Sequence, residues 1–147
     1  MARNTTTGKS YEDVVIPVIK RSCKKNNLSI KAQSNVGKSP KGGKHIVDVE
    51  LISNDDPNKR GLISSKVQHV SGSTDEKIPY EAIKLILVMK NDPRYKKAWI
   101  VLGGAGISPE LKEFYRTELE EFIPEMKGKV VIITSTDELL STDLSLD

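Results

Sequence analysis

Apolar residues recur along this chain in two rhythms, one near 3.6 and one of 2, and their alternation sets an order of helices and strands. Ser10-Tyr11-Glu12-Asp13 has the form of a capping box with Ser10 as N-cap, opening a first helix whose buried side comes from residues 14–19. Pro17 lies inside that run, so a kink or restart is expected there. Residues 28–34 predict a short strand, and a loop rich in Gly, Lys and Pro follows over 37–43. Residues 44–52 predict a second strand, with Val47, Val49 and Leu51 on one face and Ile46, Asp48, Glu50 and Ile52 on the other. Asn54-Asp55-Asp56-Pro57-Asn58 is a turn into a third strand over 61–70, which makes a hairpin.

A helix is predicted over 79–90, with Pro79 at its first position and Asn91-Asp92-Pro93 as its stop. Its apolar residues nearly encircle it, so burial is expected. Residues 98–102 read as a central strand, followed by Gly103-Gly104-Ala105-Gly106. Ser108-Pro109 opens a helix to about 122, residues 129–134 form a last buried strand, and 136–140 a terminal helical turn. The order α-β-β-β-α-β-α-β predicts a three-layer α-β-α domain with a central mixed sheet. One domain over 1–147 is expected, with residues 1–9 and 141–147 flexible.

Composition narrows the class. A chain of 147 residues, 37% hydrophobic and 29% charged, is an ordinary globular domain rather than a disordered or fibrous one. No apolar run approaches a membrane span, and the polar start lacks the apolar stretch of a signal peptide. Cys23 is the sole cysteine, which excludes an internal disulfide and points to a cytoplasmic setting. The net charge of +3 hides an asymmetry, +8 over residues 1–47 against −5 over 48–147. Lys20, Lys24, Lys38, Lys41 and Lys44 belong to the basic part, which suits either a solvated surface or a polyanion partner.

Charged residues in the middle of strands carry the candidate chemistry. Asp48 and Glu50 share one face of their strand by period 2, as Ser64, Lys66 and Gln68 share one face of theirs. If the hairpin pairs as its turn suggests, carboxylates, a lysine and an amide meet on one surface. Such a surface suits a hard divalent cation, with the lysine orienting water or offsetting charge on a phosphate. It equally suits the solvated face of an antiparallel sheet.

The order of parts then resembles the PD-(D/E)XK nuclease superfamily: an acid on the first helix, "GGKHIVDVEL", a turn, "LISSKVQ", "HVSGSTDEKIPYEAIKL" and "KAWIVLGGAG". The resemblance implies a restriction-endonuclease-like fold and a metal-dependent DNA endonuclease of restriction or homing type. It implies that Asp48, with Glu50 and Glu12, holds Mg2+ (Mn2+ as a substitute), that Lys66 activates water, and that Gln68 orients water, lysine or phosphate. DNA is the implied partner, tracked by Lys20, Lys24, Lys38, Lys41 and Lys44. With one site per chain, a homodimer, a higher homo-oligomer or a larger partner subunit is expected.

One departure stands out. The acid expected two residues before Lys66 is Ser64. Glu50 is one substitute, and Glu76 is another, although Ser73-Thr74-Asp75-Glu76 is also a capping box. The same departure motivates an alternative, a non-catalytic DNA-binding or assembly subunit that keeps the fold. Residues 103–106 offer a weaker phosphate cradle without the GxGxxG spacing. His45, expected on the face opposite Asp48, and His69 read as isolated singles, Trp99 as core, and Cys23 as an inert thiol.

Overall fold

A computed structural model describes the backbone of residues 2–70, 72 and 75–147, with side chains described from residue 14 onward within that range. The elements run α1 (Ala2–Asn26), β1 (Leu28–Lys38), β2 (Lys44–Ser53), β3 (Arg60–Val67), α2 (Ile78–Asn91), β4 (Tyr95–Gly103), α3 (Pro109–Thr117), α4 (Leu119–Phe122), β5 (Val130–Ile133) and α5 (Thr136–Leu140). The strands form one sheet in the order β1-β2-β3-β4-β5. Pairing is antiparallel from β1 to β3 and parallel from β3 to β5. The three-layer expectation holds, because both faces of the sheet are apolar and each must be covered.

Leu62, Ala98, Ile100, Leu102, Val130 and Ile132 pack under α2, α3 and α4 on one face. Ile63, Trp99, Val101 and Ile133 pack under Val15, Ile19 and Cys23 of α1 and Leu139 of α5 on the other. Burial pushes the Cys23 thiol up to about 11, which keeps it protonated and inert as expected.

Several boundaries differ from the sequence reading. The first helix is continuous from Ala2 through Pro17, so neither Ser10 nor Pro17 marks a boundary. The Pro17 ring lies on the exposed side, where water can take up the carbonyl left without a donor. β1 runs on to Lys38 because Gly37, at φ +146°, absorbs a bulge and pairing resumes beyond it. β3 ends at Val67 rather than 70, and the helix after Ser108 breaks at Glu118. The tail expected to be flexible is packed: Leu144 and Leu146 are buried in the α1-side core. The Leu144 amide donates to Ser22 Oγ at 3.2 Å, and Asn26 Nδ2 donates to Asp143 Oδ1 at 2.7 Å.

The most consequential difference lies in β2. Period 2 groups Val47 with Val49 and Leu51, yet Val47 lies in the α2-side core and the other two in the α1-side core. The alternation breaks at Asp48, and in the neighbouring strand Gln33 sits at φ +51° between the pairs Ala32–Val49 and Ser34–Val47. Beyond this point His45 and Val47 turn towards α2.

Candidate active site

Antiparallel pairing of β2 with β3 runs from Ile52–Arg60 to Val49–Ile63. Continued in register, it would bring Asp48 to Ser64 and then Val47 to Ser65. There the Ser65 amide instead donates to the Asp48 carboxylate at 2.6 Å, so a side chain takes the place of a main-chain acceptor and the two strands part. Burial pushes the Asp48 carboxyl up. The Ser65 amide and Lys66 pull it down, Glu81 raises it further, and Gln33 lowers it.

Lys66 follows directly on β3. Its Nζ lies 3.3 Å from Oε1 of Glu81, a buried acid in the first turn of α2. Lys84 Nζ meets the same oxygen at 3.1 Å, and His45 Nε2 stands 3.5 Å from Oε2. Among the described residues neither ring nitrogen of His45 makes a well-aligned hydrogen bond, so it meets Glu81 Oε2 by charge rather than by a formed bond. Burial alone would raise the Glu81 carboxyl; His45, Lys66 and Lys84 outweigh it and hold that carboxyl far below the ordinary range. The candidate site is therefore Asp48, Lys66 and Glu81, with Lys84 and His45 against the last.

Asp48 and Lys66, both candidates from the sequence, lie together here, and they are joined by Glu81, which the sequence reading did not include. The available signal was its spacing: Glu81 lies three residues after Ile78 and four before Leu85, on the inner stripe of α2, where an acid has no packing reason to be. His45, expected on the face opposite Asp48, is instead drawn to Glu81 by the break in alternation at Asp48.

The other candidates go elsewhere. Glu50 is buried with both oxygens engaged: Ser34 Oγ donates to Oε1 at 2.6 Å, and Tyr95 Oη and Arg60 donate to Oε2 at 2.8 and 2.9 Å. Burial raises its carboxyl, but those three donors prevail and lower it. It ties its own strand, β2, to β1, β3 and β4 and is not part of the Lys66 cluster. Glu76 is exposed in a 3-10 turn. The side chain of Glu12 lies outside the described residues. Ser64 is buried on β3, between the strands that flank it.

Gln68 Nε2 donates to the Gly106 carbonyl at 3.1 Å, and the Gly106 amide donates back to the Gln68 carbonyl at 2.6 Å. A Cβ on Gly104 (φ +86°) or Gly106 would stand 2.3 Å from a carbonyl oxygen of Gln68 or Val70. These glycines serve close backbone approach, and residues 68–70 fill the space beside the turn, against the weaker reading of it as a phosphate cradle. A cavity of about 330 Å³ along β5 and α3 is lined by none of Asp48, Lys66 or Glu81.

A family model described as a PD-(D/E)XK nuclease superfamily domain matches residues 3–142. The chain belongs to the PD-(D/E)XK nuclease superfamily. No curated protein and no solved structure matches it. The mixed five-stranded sheet between helices is consistent with the restriction-endonuclease-like fold of that superfamily.

Members of this superfamily typically use divalent metal ions. Among the described residues no group of three or more His, Cys, Asp or Glu side chains is placed to hold a metal ion. The donor chemistry nevertheless fits a hard ion, because Mg2+ keeps several waters and takes one or two protein carboxylates plus substrate phosphate. Asp48 and Glu81 supply two carboxylates close enough to feel each other's charge.

Proposed function

We propose that the chain is a Mg2+-dependent DNA endonuclease, of restriction or homing type, with Asp48 and Glu81 as metal-holding carboxylates. The observation that carries this reading is the convergence of Asp48, Lys66 and Glu81 at the point where β2 and β3 part. Mn2+ is a chemically suitable substitute. Glu81 takes the part of the acid lacking at Ser64, supplied from α2 rather than from β3.

In this reading a bound ion supplies Lewis-acid stabilisation of the scissile phosphate. Asp48 is held in place by the Ser65 amide, so its carboxylate needs little reorganisation. Lys66 orients or activates the attacking water and offsets charge developing on phosphate oxygens. Gln68 holds the Gly103–Gly106 turn beside the lysine strand. Glu12, on α1, remains a candidate further ligand. Cutting both strands with one site per chain calls for a second copy or a partner subunit, and a cytoplasmic setting suits the lone buried thiol.

The test is incubation of the purified chain with supercoiled, linear and four-way-junction DNA. Cleavage is expected with Mg2+ or Mn2+ and none with EDTA; equal product in EDTA would overturn the metal-dependent reading. The buried Ser64 favours one other reading, a subunit that keeps the fold without the chemistry. Calorimetry separates them, since that subunit would show no Mg2+ or Mn2+ binding that Asp48→Asn removes.

DNA contact is assigned to Lys38, Lys41 and Lys44, which are exposed at the tip of the β1–β2 hairpin with Lys38 paired across from Lys44. Lys20 and Lys24, exposed on α1, are assigned a supporting role. Replacing the three hairpin lysines by Ala should flatten the slope of log affinity against log salt by about two to three. An unchanged slope would mark the tip as a solvated surface.

A further inference from the structure

Lys84 lies one helical turn beyond Glu81 and has no part in the reaction as assigned above. Its Nζ shares Glu81 Oε1 with Lys66 and stands 5.4 Å from the centre of the Tyr80 ring. The side chains of Lys66 and Lys84 keep 28% and 22% of their surface exposed, whereas Glu81 keeps 4% and His45 2%. The cluster is thus layered, with ammonium groups outermost and carboxylate and imidazole beneath. A polyanion arriving from solvent meets the two lysines before it meets any carboxylate of α2.

Charge balance points the same way. Among the described residues, Asp48 and Glu81 are matched by Lys66 and Lys84, so a divalent ion added beside them leaves an excess of positive charge. That excess suits a phosphodiester. Two like charges on one carboxylate oxygen also repel each other, so one ammonium is readily drawn off when a new anion is offered. Lysine suits the exchange, being a compact point charge on a flexible stem that binds phosphate without a fixed fork.

We propose that Lys84 is a second substrate-contacting cation, whose Nζ leaves Glu81 Oε1 for a non-bridging oxygen of the bound phosphodiester while Lys66 stays with the reacting water. This rests on the nuclease reading. In it, α2 brings both the carboxylate and the group that clamps the phosphate, from positions three residues apart.

The test compares duplex DNA binding by wild type, Lys84→Gln and Lys84→Arg in EDTA over a salt series, together with Mn2+ calorimetry on the DNA-free proteins. Lys84→Gln should bind DNA several-fold more weakly, with the log–log salt slope reduced by about 0.9. It should bind Mn2+ several-fold more tightly, because a competing cation has left Glu81. Lys84→Arg should keep the wild-type slope. Wild-type DNA affinity and slope in a folded Lys84→Gln would overturn the proposal and leave Lys84 as a partner of Glu81 alone. Because binding is read without metal, that result is separable from failure of the nuclease reading, which would show as a wild type that binds DNA and never cuts it. A wild type that binds no DNA overturns both.

Discussion

Under the proposed nuclease reading, Glu81→Gln should slow metal-dependent cleavage about 10²–10³-fold or more while the protein stays folded. The amide oxygen still accepts from Lys66 and Lys84, so the α2 contact survives, but the charge that attracts a hard ion is gone. Asp48→Asn should fall in the same range for the same reason. Glu76→Gln should cut at the wild-type rate, because that side chain is exposed in the turn before α2. Initial rates of plasmid nicking in Mg2+, with melting temperatures alongside, decide the matter. A Glu81→Gln protein cutting at the wild-type rate would remove this carboxylate from the chemistry and leave Glu12 as the candidate second acid.

Glu50→Ala acts on the fold instead. It leaves the Arg60 guanidinium and the Tyr95 and Ser34 hydroxyls without their shared acceptor. Removing one partner of a buried ion pair costs about 3–5 kcal/mol, and the lower end applies because Arg60 is partly exposed. For a chain of this size about 3 kcal/mol lowers the melting temperature by roughly 6–12 °C. The folded carboxyl lies below its ordinary value, so its contribution is complete above about pH 4.3 and is lost as pH falls through the lowered folded value. Asp48 has the opposite sign, since its raised carboxyl loses a cost on protonation. Thermal melts of wild type and Glu50→Ala should therefore differ most near neutrality and converge in acid. Parallel curves down to pH 2 would show that the carboxylate does not hold this network.

The order of elements was legible because each buried strand and helix writes its own period into the chain. Asp48 and Lys66 were legible because charges inside apolar strands interrupt that period. Glu81 was not singled out, since an acid in the first turn of a helix also satisfies the helix dipole and needs no further reason to be there. Strict alternation puts His45 on the wrong face, because the irregularity at Gln33 and Asp48 reverses the faces of β2. The packed tail is hard to read for a related reason: Leu144 and Leu146 alternate with polar residues over too few positions to announce a buried segment.

The parting of β2 from β3 at Asp48 also separates two parts of the β1–β2 hairpin. Towards the sheet, register is locked by the Val49–Ile63 to Ile52–Arg60 ladder and by the Glu50 brace. Towards the tip, β1 and β2 pair only with each other and lean on the body of the domain through Val36, His45 and Val47. A change in length between Ser39 and Gly43 is therefore absorbed in the arm, before it reaches the carboxylate. The hairpin tip is free to diversify while position 48 stays where it is. A single ladder continuous from the tip to Arg60 would transmit every insertion straight to that carboxylate.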